Sequence, residues 1–389
     1  MPIFTRRMFL NTAGAAASLG GPVARTRAAA GGVGWAESLG AKIERDGEGN
    51  VIAADFTGTW LGDADLAKIA QWPKLRRLNI SETKVTDLGI EYLKPLREVE
   101  EFDAWYAENL TEDGITHLRG WRRLSRWVLR WPRSSRCVFD PLESMVSLRE
   151  LDIANTNVSD EGFHLLTPLV HLNRLSIGGN RLTGDCLQML APLAGLRHLD
   201  VSGVQRVDSG LWGLPLTRQN IGRIAQLTRL ESLNLNGATL ADRGLDRPGH
   251  QLAERKEMQQ VAGLQPLENL GHLDVGRLPV SNQDMELVRD LPRLEELRAG
   301  MASNLDDGLV PHLLAAKSLK RVYLAGTRLT DTGLARLALH PGLTEIAVDG
   351  TAVTAGAVGR LQKASRNLTI LWWPARKRSE PGQTAQLVR

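Results

Sequence analysis

The chain has 389 residues, of which 42% are hydrophobic and 24% are charged. This balance excludes both a disordered polar chain and a protein made mainly of membrane spans. Two cysteines are too few for a disulfide scaffold or a four-cysteine zinc site. The formal net charge is +4, and four arginines in the first thirty residues account for all of it. The neutral remainder has no overall field that would attract nucleic acid.

The first thirty residues have the features of a targeting segment. Arg6 and Arg7 precede a short apolar run over residues 13–19, and three alanines at 28–30 form a small-residue cleavage site. The stretch TRRMFL at residues 5–10 resembles the twin-arginine export motif, with Asn11 in place of its lysine. The resemblance implies a bacterial protein that is exported already folded, to the periplasm or the extracellular space. Because a span needs about 20 apolar residues, we expect no integral membrane segment after signal cleavage.

A pattern of about 24 residues recurs along the rest of the chain. It is clearest from Leu75, Leu148 and Leu319, where the sequence reads L-x-x-L/V-x-L/I-x-x-T-x-V/L-T/S-D-x-G. The pattern resembles a leucine-rich repeat of the T-x-V-T-D-x-G type found in bacterial secreted proteins. It is also similar to the repeats of F-box substrate receptors. Roughly a dozen units fit into residues 51–374.

The letters of one unit predict a strand followed by a helix. Leu78 and Ile80 alternate with polar neighbours, which is the period of two expected of a half-buried strand. Thr83 comes where the chain turns, and its hydroxyl is expected to bond backbone groups of the neighbouring coil. Thr86 is predicted to cap the helix, and Gly89 to allow close approach.

No unit of this size can bury its apolar face alone, so stacked units share one core. The predicted fold class is α/β: a curved leucine-rich-repeat solenoid with parallel strands on the concave face and short helices on the convex face. Trp35 is expected to help cover the first coil. The predicted regions are a signal peptide (1–30), an N-terminal cap (31–50), the repeat array (51–374) with insertions near 211–227 and 245–266, and a disordered basic tail (375–389).

The two insertions allow two interpretations. Each is a protruding element that adds a contact surface, or a longer convex helix without such a role. In the second insertion, residues 251–264 have a helical pattern.

One stretch of the array departs from the consensus and concentrates residue types typical of interaction surfaces. Tryptophan and tyrosine offer large rigid contact area, and arginine offers directional donors. The predicted binding residues are Glu101, Asp103, Trp105, Tyr106, Arg126, Arg130, Trp131 and Asp152. The competing interpretation is a degenerate repeat whose tryptophans fill irregular packing, with Trp127 in the core and Trp121 on the convex side.

His198 and His272 are candidates for catalysis or metal binding, because each is followed two residues later by an aspartate. These histidines occupy the same position two units apart, about 10 Å from each other at the usual strand spacing. No nucleophile motif lies between them, so a hydrolase or metal site there is only an alternative, and we predict neither catalysis nor a cofactor. By the same spacing Cys137 and Cys186 are too far apart for a disulfide, and we predict two free, buried thiols.

The sequence therefore predicts an exported, non-enzymatic binding protein, most simply a monomer. Its expected partner is a protein or a cell-envelope polysaccharide, and nucleic acid is not expected. A second interpretation is an effector related to F-box substrate receptors, although no F-box-like segment is recognisable before Val51. Resemblance of fold alone does not establish that function.

Overall fold

The computed structural model describes residues 32–130, 140–203, 214–240, 261–365 and 367–373. The predicted signal peptide, Trp131, Cys137 and the predicted tail lie outside these ranges. Within them, fourteen strands form one sheet in chain order, and two further short strands, Pro215–Leu216 and Thr239–Leu240, pair with each other. All neighbours in this sheet are parallel except the first two strands. The predicted α/β leucine-rich-repeat solenoid is thus confirmed.

The strands are short, and most of them contain three residues. Their bounds are β1 (Lys42–Arg45), β2 (Val51–Asp55), β3 (Arg77–Asn79), β4 (Glu101–Asp103), β5 (Arg126–Val128), β6 (Glu150–Asp152), β7 (Arg174–Ser176), β8 (His198–Asp200), β9 (Pro215–Leu216), β10 (Ser232–Asn234), β11 (Thr239–Leu240), β12 (His272–Asp274), β13 (Glu296–Arg298), β14 (Arg321–Tyr323), β15 (Glu345–Ala347) and β16 (Thr369–Leu371).

Short helices return the chain on the other side of each coil. The α-helices are α1 (Gly34–Ser38), α2 (Asp63–Ile69), α3 (Asp87–Glu91), α4 (Glu112–Thr116), α5 (Arg218–Ala225), α6 (Val310–Ala315), α7 (Asp331–Leu337) and α8 (Ala355–Ala364). Short 3₁₀ segments take this place or extend it at His117–Gly120, Leu142–Ser144, Phe163–Leu166, Asp185–Leu190, Val261–Leu264, Asp284–Asp290 and Asp307–Leu309. Within the described ranges, no helix is long and apolar enough to cross a lipid bilayer.

The core runs along the whole array between the strands and the helices. Each strand from β3 to β8 buries its middle residue and leaves its first residue more exposed, as the period of two predicts. Trp127 is one of these middle residues and is fully buried, as predicted. Trp121 was expected on the convex side, and it does directly follow the convex 3₁₀ segment His117–Gly120, but its side chain belongs to the core. Its ring is fully buried against Phe102, with the ring centroids 5.2 Å apart.

The first coil is covered by α1 and by β1, which pairs antiparallel with β2. Trp35 stacks on Phe56 and on Trp72, with ring centroids 5.8 and 5.7 Å apart. These contacts shield the apolar edge that the first coil would otherwise expose to water. At the other end, the Trp372 indole N–H donates to the Val353 carbonyl at 3.1 Å.

The described part of the first insertion is a convex helix rather than a protrusion. Helix α5 buries Ile221 and Ile224 and packs between the 3₁₀ turns at Asp185–Leu190 and Val261–Leu264. It therefore continues the row of convex helices. Of the second insertion only residues 261–266 are described, where Val261 and Leu264 are buried.

A side-chain clamp joins the helix starts of consecutive coils. Thr86 donates its backbone N–H and its hydroxyl to the two carboxylate oxygens of Asp63 in the preceding coil, each at 2.7 Å. Its hydroxyl also accepts from the Leu88 N–H, which confirms Thr86 as the N-cap. The same two bonds join further pairs: Thr111 to Asp87, Thr183 to Asp160, Thr330 to Asp307 and Thr354 to Asp331.

The glycine of the repeat is required by this clamp. A Cβ added to Gly89 would lie 2.4 Å from Oδ1 of Asp63, and one added to Gly333 would lie 2.1 Å from Oδ1 of Asp307. Real Cβ atoms do not come so close, so any side chain there would push the carboxylate out of place. The close approach expected of Gly89 is confirmed.

One clamp has its donor and acceptor exchanged. Asn282 stands where other coils have the clamp aspartate, and Asp306 stands where they have threonine. The Asn282 amide donates to Asp306 Oδ1 at 2.6 Å, and the Asp306 N–H donates back to Asn282 Oδ1 at 3.2 Å. The contact is kept because an amide, which can donate, and a carboxylate, which accepts, occupy the two positions together.

The turn threonines behave differently from the prediction. Thr83 donates its hydroxyl at 2.7 Å to the carbonyl of Ile80 in its own coil. Thr156, Thr327 and Thr351 do the same with the residue three positions back. The longer Asn180 side chain does reach the neighbouring coil, since its amide donates to the Ile153 carbonyl at 2.8 Å.

Cys186 is a free, buried thiol, as predicted. Burial is the largest cause that raises its pKa above the usual value, and the nearby Asp160 carboxylate adds to the effect.

We expect Gly89→Ala to lower the free energy of unfolding by about 1–3 kcal/mol, because the added methyl group would overlap Asp63. Gly359→Ala is the matched control: Gly359 is also helical, and no heavy atom lies within 4 Å of its added Cβ. Urea denaturation followed by circular dichroism measures both variants. Equal stability of the two would contradict a packing role for Gly89.

Candidate binding surface

The concave face carries side chains of alternating charge in one column. From β3 to β7, the first residue of each strand is in register with the first residue of the next. These residues are Arg77, Glu101, Arg126, Glu150 and Arg174. Because neighbouring strands lie about 4.8 Å apart, the three inner charges, Glu101, Arg126 and Glu150, each have a charge of opposite sign on both sides. The column therefore alternates in sign, with one arginine in excess.

Arg126 is held by carboxylates on both sides. Its Nη1 donates to the two oxygens of Asp103 at 2.8 and 2.7 Å, and its Nε lies 3.5 Å from Glu150 Oε2. Glu101 stands opposite Arg126 in the register of the strands and is half-buried. The guanidinium thus has its carboxylate partners before any ligand arrives.

Arg130 forms a similar pair one coil further along. Its Nε donates to Asp152 Oδ2 at 2.5 Å, and its Nη2 to Ser176 Oγ at 3.4 Å. Burial raises the pKa of Asp152 above its usual value, and the positive charge of Arg130 opposes this effect. This acid–arginine network is consequently a preformed part of the concave face.

Trp105 and Tyr106 lie beside this network, on the turn that follows β4. Their ring centroids are 5.2 Å apart in an edge-to-face arrangement, and about two-fifths of each residue is exposed. Backbone hydrogen bonds to both neighbouring coils anchor the turn. The Trp105 N–H donates to Ser81 Oγ at 3.1 Å, and the Tyr106 N–H to the Arg130 carbonyl at 2.9 Å. The two rings are therefore presented by a fixed backbone.

An open pocket of about 480 Å³ lies against these rings. Its lining residues are Glu82, Thr83, Lys84, Trp105, Tyr106, Glu108 and Asn109. The pocket spans the turns of two consecutive coils, and we call it the aromatic pocket.

The structure brings seven of the eight predicted residues together on neighbouring coils but divides them into two groups. Glu101, Asp103, Arg126, Arg130 and Asp152 belong to the concave network. Trp105 and Tyr106 form the aromatic pocket, and Trp131 lies outside the described residues. The arginines were expected to offer donors to a partner. Both arginines already donate to a carboxylate of the protein, so only part of each guanidinium is left for a partner.

Sequence reasoning missed the polar residues that line the aromatic pocket. Glu82, Lys84, Glu108 and Asn109 are all exposed turn residues of the two coils. Trp60, which is 81% exposed, takes the place of Lys84 one coil earlier. The repeat register could have located these lining residues, because it places Lys84 at the same exposed turn position as Trp60.

His198 and His272 flank Ser232 in the register of β8, β10 and β12. They are two strands apart, as predicted, on the open concave face. Burial is the largest cause that lowers the pKa of His198, and the charge of Arg174 acts in the same direction. Among the described residues, no three or more His, Cys, Asp or Glu side chains are grouped as metal ligands would be.

A second network near the C-terminal end was not predicted. Glu296 accepts from Arg298 Nε at 2.6 Å and from Arg321 Nε at 2.7 Å. The Tyr323 hydroxyl donates to Glu345 at 2.6 Å, and the Arg298 guanidinium lies 4.8 Å from the centre of its ring. Burial, followed by the bond to Glu345, raises the pKa of Tyr323 to about 12. This network pairs two glutamates with two arginines and a tyrosine of the protein itself.

Comparison with known proteins agrees with this architecture. Residues 73–94 and 144–163 match the family described as leucine-rich repeat. The structure is similar to an internalin (inlF) from Listeria monocytogenes, with 19% identity and a TM-score of 0.56 over 83% of this chain and 90% of that one. A leucine-rich-repeat protein of Leptospira interrogans aligns with 17% identity and a TM-score of 0.48, over 78% and 74% of the two chains. No curated protein sequence matches significantly.

We expect Arg130→Gln to raise the pKa of Asp152 further, because burial continues to act without the opposing charge. An acid whose pKa is higher in the folded state than in the unfolded state contributes most to stability when the pH is below its unfolded-state pKa of ~4. This contribution is lost as the pH rises through the folded-state pKa. The variant should therefore lose about 1 kcal/mol of stability at pH 7 and less at pH 4.

Urea denaturation at the two pH values measures this difference. Arg174→Gln is the control, because Arg174 is half-exposed and lies 3.9 Å from Glu150 in a looser pair. A loss in Arg130→Gln that does not change with pH would contradict the coupling to Asp152.

Proposed function

Because the chain has the leucine-rich-repeat fold, we propose that it is an exported, non-enzymatic binding protein that recognises a protein or a cell-envelope polysaccharide. The proposed contact surface consists of the concave network on strands β4 to β6 and the aromatic pocket on the turns that follow β3 and β4. Its residues are Glu101, Asp103, Trp105, Tyr106, Arg126, Arg130 and Asp152, with Trp131 included from the sequence alone.

The observation that carries this proposal is the exposed Trp105–Tyr106 pair on an anchored turn next to a pocket. Aromatic rings of this kind supply much of the binding energy at interfaces. A rigid backbone also reduces the entropy lost on binding, since little has to be ordered. The concave network beside it is already ordered and would give the surface its shape.

The electrostatics favour such a partner over nucleic acid. Arg126 and Arg130 are paired with carboxylates of the protein, so they are not free to neutralise phosphates. Glu82 and Glu108 at the pocket would repel a phosphate backbone. The aromatic pocket is also open, whereas catalysis favours a site from which water is excluded. The receptor-like and hydrolase alternatives gain no support from the fold alone.

We expect the chain from residue 31 onward, immobilised on a resin, to retain a component of the envelope fraction of its own organism. Trp105→Ala should reduce this retention at least ~10-fold, because the variant loses the main apolar contact of the pocket. Trp373→Ala is the control: Trp373 is also exposed but lies at the far C-terminal end. Thermal unfolding should show that both variants remain folded. Retention that is undiminished in Trp105→Ala would refute the proposed site.

The export part of the proposal depends on Arg6 and Arg7. We expect the combined change Arg6→Lys and Arg7→Lys to keep the protein in the cytoplasm, because the twin-arginine route reads both guanidinium groups. Cell fractionation and immunoblotting of the unchanged and changed chains in a bacterial host measure the distribution. Export that is unaffected by the double change would contradict this route.

A further inference from the structure

We propose that the aromatic pocket binds a neutral sugar ring of a polysaccharide chain. This inference rests on the proposed function and names the ligand class of its central pocket. The polar residues that line the aromatic pocket carry this inference.

The size and shape of the pocket suit one ring of a longer chain. Its volume of about 480 Å³ lies within the range of small-ligand sites, roughly 300–1,000 Å³. The pocket is open to solvent, so a polymer can continue on either side of the bound ring. A closed cavity would admit only a free small molecule.

The polar lining offers both hydrogen-bond donors and acceptors. Glu82 and Glu108 carry acceptors, Lys84 carries donors, and Asn109 carries both. Within the described ranges, none of these four side chains forms an ion pair or a hydrogen bond with the protein. They contrast with the arginines and aspartates of the concave network, which are already paired. Sugar hydroxyls donate and accept, so they can use such a mixed set.

Charge argues against an ionic ligand. An anionic group in the pocket would meet Glu82 and Glu108, and a cationic group would meet Lys84. A neutral ligand avoids both repulsions and still fulfils the hydrogen bonds.

The aromatic rings complete the site. A sugar ring has an apolar face made of C–H groups, which needs an apolar surface to leave water. The exposed parts of Trp105 and Tyr106 provide this surface next to the polar groups. Their turn is tied to the coils on both sides, so the rings are in place before binding.

Titration of the purified chain with maltotriose, cellotriose and N,N′,N″-triacetylchitotriose, followed by saturation-transfer NMR and calorimetry, tests the inference. We expect at least one of the three to bind with an affinity that is unchanged between about 0.05 and 0.5 M NaCl, because no ion pair is involved. Trp105→Ala should weaken this binding at least ~10-fold, and Trp373→Ala should not change it.

Asn109→Ala provides a second variant that does not depend on the aromatic pair. Asn109 is exposed on the turn, so its replacement leaves the core intact, and the loss of its hydrogen bonds should weaken binding about fivefold. Binding that is unaffected in both Trp105→Ala and Asn109→Ala would place the sugar elsewhere and overturn the inference.

Two further outcomes also overturn it. One is that none of the three trisaccharides binds. The other is that a hexa-arginine peptide binds instead, with an affinity that falls with salt and is lost when Glu82→Gln and Glu108→Gln are combined. If an envelope protein is still retained in a Trp105-dependent manner in either case, the proposed function stands without the sugar ligand. If that retention is absent too, both fail.

Discussion

The carboxylate of one coil, bound by the threonine of the next, sets the spacing on which this structure depends. The Asp63–Thr86 clamp satisfies a backbone N–H and a hydroxyl at the start of a helix, where intrahelical partners are missing. It recurs along the convex side, while the strands pair in register along the concave side. In the coils that carry the clamp, two kinds of directional bond therefore hold both sides of the coil. The shared apolar core fills the space between them.

This fixed spacing also explains the character of the concave face. With strands in register, arginine and glutamate in one column meet at ion-pair distance, as Arg126 and Arg174 do with Glu150. Such half-exposed pairs contribute little to stability individually. They do determine what the surface offers to a partner, because they remove free charges from its centre. Groups with unused bonding capacity are found on the turns, around Trp105 and Tyr106.

Much of the fold could be predicted from the sequence because its determinants are local. The alternation around Leu78, the cap at Thr86 and the close contact at Gly89 each depend on residues within one coil or on the repeat itself. The partner of the clamp aspartate could not be predicted in this way. That bond joins residues 23 positions apart and becomes visible only once the coils are stacked.

The candidate site was predicted less completely, for the same reason. Residue type identified Trp105 and Tyr106, whose exposed rings do line a pocket. The pairing of Arg130 with Asp152 depends on the approach of side chains from two coils, which composition does not reveal. Trp121 has the same chemistry as Trp105 but replaces a core leucine, so it is buried.

The exchanged clamp at Asn282 and Asp306 has a consequence for how such an array can change during evolution. These two coils are matched to each other, since Asp306 would lose its side-chain bond beside an ordinary clamp aspartate. A duplication or deletion that separated them would bring those two carboxylates face to face. Recombination is therefore expected to be tolerated less easily at this boundary than at the others, although the units look interchangeable.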